Sequence, residues 1–151
     1  MLALDVGNRR IGLAISDALG LTAQPLQTLA RHSKRADLEA LTAIAKQHDV
    51  QQLVIGLPLR MGGEDSAQTN RVRQFAGEVS AALALPVHFV DERLTSWEAH
   101  QMLDQSKLDR LERKGKVDAV AAVLILQAYL RQRSGPALLP PDEDTSDKLD
   151  R

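Results

Sequence analysis

The chain has 151 residues, 44% hydrophobic and 26% charged, and contains no cysteine. That length and composition suit one globular domain with a sizeable core, and the lack of cysteine excludes a disulfide framework, a thiolate metal site and a cysteine nucleophile. The net charge of −1 is unevenly divided: residues 134–151 hold five acids and two bases, leaving 17 bases against 15 acids in residues 1–133.

Residues 2–7 and 10–17 predict two strands joined by a tight turn at Gly7-Asn8-Arg9. "PLQTLAR" (25–31) is a weaker third strand. From Arg35 to His48, Leu38, Leu41, Ile44 and Ala45 fall at helical spacing. "QLVIG" (52–56) is a continuous apolar run, as expected of a parallel strand buried on both faces. "LPLRMGGE" (57–64) is a Pro/Gly loop. Val72, Phe75, Ala76, Val79 and Leu83 then mark a helix over residues 65–84, and "PVHFVDE" (86–92) is the next strand.

Thr95 and Glu98 form a T-x-x-E pattern that predicts a helix start at Thr95. "KLDRLERKGK" (107–116) has five bases against two acids. "KVDAVAAVLILQAYLRQR" (116–133) predicts a helix apolar on nearly every side, and hence buried. Residues 1–133 are therefore expected to form one α/β domain with a mixed sheet. Residues 134–151, acidic and containing Pro136, Pro140 and Pro141, are expected to be a disordered tail. No apolar run approaches the ~20 residues of a membrane span. The first apolar stretch lacks a preceding basic segment and is interrupted by Asp5. No membrane association and a cytoplasmic location are expected.

Three acids occupy places where acids are costly. Leu2, Leu4 and Val6 point to one face of the first strand; Ala3, Asp5 and Gly7 point to the other. Ile11, Leu13 and Ile15 repeat the bulky face in the second strand, and Gly12, Ala14 and Ser16 the small one. Asp5 thus lies on a small-residue face, where a buried carboxylate must be hydrogen-bonded, paired or metal-bound. Asp91 and Glu92 end a strand at its C-terminal edge, where open α/β sheets place ligands. Asp118 opens the apolar helix, followed by Ala119, Ala121 and Ala122, which would let that helix lie close to the sheet. Three carboxylates converging from two strands and a helix would suit Mg²⁺ or Mn²⁺. Singly, Asp5 also reads as a salt-bridged structural acid, Glu92 as a partner of Arg93, and Asp118 as an acid favoured by a helix N-terminus.

"LALDVGNRRIGLAISD", "VIGLPLRMGG", "VDERLTSWEA" and "KVDAVAAVLILQAYL" together resemble the YqgF/RuvX family of Holliday junction resolvases, in order, from Leu2 to Leu130. The resemblance implies a ribonuclease H-like fold with a central five-stranded mixed sheet flanked by helices. It implies Asp5, Glu92 and Asp118 as catalytic and metal-binding acids, with Asp91 as an accessory metal ligand. The activity implied is two-metal phosphodiester hydrolysis with Mg²⁺ or Mn²⁺, the ions ~3.5–4 Å apart.

The expected function is a structure-selective endonuclease acting on branched DNA, a Holliday junction resolvase in recombination and repair. The alternatives are a ribonuclease maturing the small-subunit ribosomal RNA precursor and a non-catalytic nucleic-acid adaptor. Candidate nucleic-acid contacts are Arg9 and Arg10 in the hairpin turn, Arg60 in the Pro/Gly loop, Arg93, and the basic segment with Lys107, Arg110, Arg113, Lys114 and Lys116. A solvated turn or loop is the competing reading for these. Symmetric junction cleavage would require a homodimer or an equivalent pair of sites. The opening segment also resembles the first phosphate loop of actin- and hexokinase-type ATPases, but no second D-x-G loop follows.

Overall fold

Alternation of bulky and small residues in the first two strands gives the sheet two unlike faces, and these dictate what packs on each. The computed structural model describes residues 1–93, 95, 109 and 119–134. Its strands are β1 (Leu2–Val6), β2 (Arg10–Ser16), β3 (Ala23–Ala30), β4 (Leu53–Leu57) and β5 (Val87–Asp91). Its helices, among the described residues, are α1 (Lys34–Gln47), α2 (Ala67–Leu83) and α3 (Val120–Ser134). The strands form one sheet in the order β3-β2-β1-β4-β5. β2 runs antiparallel to β1 and to β3, while β4 is parallel to β1 and β5, so the sheet is mixed, as expected.

Leu2, Leu4, Ile11, Leu13, Leu53 and Ile55 are fully buried on one face, in a core shared with Leu41 of α1 and Phe75 and Val79 of α2. The opposite face carries Ala3, Ala14, Val54 and Val90 and is covered by α3 through Ala122, Ile125 and Leu126. Small residues on the sheet thus meet a helix that is itself rich in alanine. His88 of β5 packs its ring on Tyr129 of α3, with centroids 5.1 Å apart. Among the described residues no helix is long and apolar enough to cross a membrane.

Local chemistry sets most boundaries. Gly7 donates its N–H to Arg10 O (2.9 Å), and a Cβ on Gly7 would sit 2.9 Å from that same oxygen, so the hairpin closes only over glycine. The Ser33 hydroxyl caps α1 by accepting from Ala36 N. Ser66 and Thr69 form a reciprocal capping box that starts α2.

Two sequence expectations shift. β3 begins at Ala23 and so includes Pro25, which is tolerated because β3 is an edge strand and its register slips between Gly12 and Ala14. The helix expected to start at Thr95 is already helical at Glu92 and Arg93, and the Thr95 hydroxyl donates back to Glu92 O (2.9 Å) instead of capping. Glu98, the other half of that pattern, lies outside the described residues, as does the tail beyond Ser134.

Candidate active site

The C-terminal ends of β1, β4 and β5 lie along one sheet edge, because these three strands run parallel. Three features gather there: the 7–9 turn after β1, the 58–66 loop after β4, and Glu92 immediately after β5. Asp5 pairs with Gly12 in the β1–β2 ladder. The pairing of Leu4 with Ile55 puts Asp5 beside Gly56, and Gly56 pairs with Val90. Asp5 therefore shares the α3-facing side of the sheet with Ala3, Val54 and Val90.

Neighbouring strands lie about 4.8 Å apart, so β1 and β5, with β4 between them, are separated by about 9–10 Å. Even so, the Asp5 and Glu92 carboxyls share a side-chain hydrogen bond. Both are half-buried. Burial pushes the Asp5 pKa up, and its hydrogen bond with Glu92 offsets this in part. Glu92 is pushed up to about 7, first by burial, then by the Asp5 charge and the bond to Asp5, and last by the Asp91 charge. Two acids this close in a poorly solvated place retain one proton between them.

Asp91 stands apart from that pair. Its Oδ1 and Oδ2 accept from Arg93 Nε at 3.0 and 2.9 Å, and Oδ2 also accepts from Arg93 Nη2. This contact holds the Asp91 carboxyl below the usual range. The same guanidinium donates from Nη1 to Met61 O at 3.0 Å. Arg93 is thus a latch between the end of β5 and the 58–66 loop. That loop is further tied by Arg60 N to Glu64 O, by Gly63 N to Arg60 O, and by the Thr69 hydroxyl to Pro58 O. It leaves Arg60 and Met61 exposed.

The turn after β1 is held by a residue that sequence reasoning did not single out. Arg31, just past β3, donates from Nη1 to Gly7 O (2.9 Å) and from Nε to Asp37 Oδ2 (3.2 Å). Its guanidinium also lies 4.7 Å from the centroid of the Phe75 ring. Asp37 is only 5% exposed and also accepts from His32 N, so the ion pair is largely withdrawn from water. Arg9 and Arg10 are exposed on the turn that this strut braces. Nothing local in the sequence flags Arg31, because Gly7 is 24 residues away.

The structure thus brings Asp5 and Glu92 together, places Arg9, Arg10 and Arg60 along the same edge, and binds Asp91 and Arg93 to each other. Asp118, Lys107, Arg110, Arg113, Lys114 and Lys116 lie outside the described residues. Among the described residues, no group of three or more His, Cys, Asp or Glu side chains is placed to hold a metal ion. Two half-buried carboxyls sharing a proton nonetheless fit a hard divalent cation, whose charge would offset the repulsion between them once both are ionised.

Residues 1–132 match the model of the RuvX family, described as Holliday junction resolvase. A relative from Koribacter versatilis is 52% identical over 133 residues, covering 88% of this chain and 87% of the relative. One from Synechococcus elongatus is 46% identical over 135 residues, covering 89% and 91%. Both carry the name "Putative pre-16S rRNA nuclease". Among solved structures, Thermus thermophilus RuvC in complex with a Holliday junction substrate superposes with a TM-score of 0.52 at 13% identity, covering 89% of this chain and 96% of that one. At that identity the likeness carries the fold, which is the RuvC-type, ribonuclease H-like one.

Proposed function

This chain belongs to the RuvX family, and we propose that it is a metal-dependent endonuclease that matures the small-subunit ribosomal RNA precursor. The single observation that carries the chemistry is the hydrogen-bonded Asp5–Glu92 pair at the C-terminal sheet edge. The names of the relatives support the RNA substrate at least as well as the expected junction resolvase. The family description and the RuvC likeness favour the resolvase as second reading. The two also differ in stoichiometry: symmetric junction cleavage needs two sites, whereas cutting one RNA strand needs one.

In this reading, the nuclease unit is residues 1–133 and acts in the cytoplasm. Asp5 and Glu92 hold a divalent cation, Mg²⁺ or Mn²⁺, with Asp118 completing the oxygen set. When bound, the ion lowers the pKa of a water and offsets charge on the phosphate. Asp5 and Glu92 set where that charge sits, and Glu92 must first lose the proton it shares with Asp5. Arg9, Arg10 and Arg60 hold phosphates of the nucleic acid along the same edge, making binding salt-sensitive. Arg93 keeps the loop carrying Arg60 in place, and its pairing with Asp91 occupies the accessory acid. Lys107, Arg110, Arg113, Lys114 and Lys116 extend the basic track.

The test is cleavage of a labelled pre-16S RNA and of a four-way DNA junction, side by side, with Mg²⁺ or Mn²⁺, using Asp5→Asn and Asp118→Asn as controls. RNA cleavage lost in both variants is the expected result. Symmetric junction nicks without RNA cleavage would move the protein to the resolvase reading, and cleavage that survives Asp5→Asn would overturn the site.

A further inference from the structure

Gly56 occupies the strand between the two acids, and its backbone gives no reason for glycine. It is paired with Val90 of β5 and absent from the positive-φ positions among the described residues. A strand interior loses stability by carrying glycine. Val54, two residues earlier on the same face of the same strand, accommodates a β-branched side chain and is fully buried. What separates the two positions is the space above them. A Cβ on Gly56 would stand 2.6 Å from Glu92 Oε1, 3.0 Å from Glu92 Cγ and 2.4 Å from Ile125 Cδ1. No backbone atom lies among these three nearest neighbours. The obstacles are side-chain atoms, two of them belonging to Glu92.

We propose that Gly56 is a positioning residue for the acidic pair: its missing side chain is the gap through which the Glu92 carboxyl crosses β4 to reach Asp5. Asp5 is short and fixed on β1, so the reach must come from the longer Glu92, and its path runs over residue 56. Adding a methyl group there moves the end of a flexible side chain, which the fold tolerates, but that end is the carboxyl the site depends on. Stability and site geometry should therefore separate at this one position. The proposal deepens the metal-site reading above, and its structural arm does not depend on it.

Ile125→Val removes Cδ1, the nearer packing obstacle, and serves as the parent. Gly56→Ala is added to this parent, and both chains are remade with Glu92→Ala. Crystal structures are determined without metal, and Mn²⁺ affinity is measured by calorimetry. With Glu92 present, Gly56→Ala is expected to leave the β4 backbone in place, swing the Glu92 carboxyl out of hydrogen-bond reach of Asp5, and weaken Mn²⁺ binding at least tenfold. In the Glu92→Ala background the same methyl is expected to change Mn²⁺ affinity by less than twofold. An intact Asp5–Glu92 contact in the Gly56→Ala chain would overturn the proposal, as would an equal loss of Mn²⁺ binding in both backgrounds. If Gly56→Ala folds only when residue 92 is alanine, the conflict with Glu92 is shown directly. Failure to fold in both backgrounds would assign Gly56 to packing under α3 and overturn it. A parent that binds no Mn²⁺ would sink the metal-site reading, while the crystal structures still decide the role of Gly56.

Discussion

Replacing Glu92 by glutamine should make the metal-free protein more stable at alkaline pH while abolishing its metal-dependent activity. Glu92 titrates at about 7 in the folded chain, raised from 4.5 by burial and by Asp5. A carboxyl raised on folding contributes stability that is fully present below its unfolded pKa and is lost as pH rises through the folded one. The wild type should therefore lose stability between about pH 4.5 and 7. That shift corresponds to about 3 kcal/mol in full burial; partial exposure and screening of the carboxyl reduce this to roughly 1–2 kcal/mol. Glutamine keeps the shape and the hydrogen-bonding capacity but never ionises. Near pH 5 the two proteins should unfold at the same temperature. At pH 8, in EDTA, Glu92→Gln should melt about 3–6 °C higher, at the 2–4 °C per kcal/mol typical of this size. Thermal unfolding followed by circular dichroism at pH 5, 6.5 and 8 measures this. A variant less stable than wild type at pH 8, or a difference independent of pH, would refute the picture of two carboxyls contesting one proton.

Mn²⁺ should raise the unfolding temperature of the wild type at pH 8, less so as pH falls through 7, and not at all in Asp5→Asn; calorimetric scans with and without EDTA check this. Arg31→Met should cost about 2–4 kcal/mol in urea unfolding, since it strands the buried Asp37 carboxylate and frees Gly7 O; a cost below ~1 kcal/mol would make the pair no better than a surface one. Arg93→Gln should change global stability by under ~1 kcal/mol, because the Asp91 pair is partly exposed. It should nonetheless speed amide exchange in residues 60–63 and let the Asp91 pKa rise, both readable by NMR.

The oddity of Asp5 was legible from alternation alone, because a charge on a strand face of alanines and glycines has few uses. The order of strands, helices and loops was legible for a related reason: bulky and apolar residues recur at periods that only one kind of element satisfies. The convergence of Asp5 and Glu92 was expected from the small-residue face and the C-terminal sheet edge, but its route across β4 was not legible, because it depends on which strand inserts between β1 and β5. Gly56 looked like the end of an apolar run for the same reason. The resemblance put Asp91 forward as an accessory ligand; its tie to Arg93, two residues on, was not legible because it requires the chain to turn helical at Glu92. The Thr95 pattern misplaced that turn, since a capping motif records a local preference that the exit from β5 overrides. Asp118 and the five bases of the 107–116 segment carried much of the sequence argument, and they lie outside the described residues.

The unequal faces of the sheet also matter to anyone seeking a hardier version of this protein. Under α1 and α2 the core is built of leucine, isoleucine and valine, where volume can be traded between neighbours for little loss. Under α3 the sheet contributes Ala3, Ala14, Val54, Val90 and Gly56, and at Gly56 an added carbon presses on Ile125 and on the Glu92 carboxyl. Stabilising libraries should accordingly be confined to the first face. Repacking Leu41, Ile44, Val72 and Val79 should raise the melting temperature with the nuclease centre left alone, whereas at Gly56 on the second face a single methyl group already meets the Glu92 carboxyl.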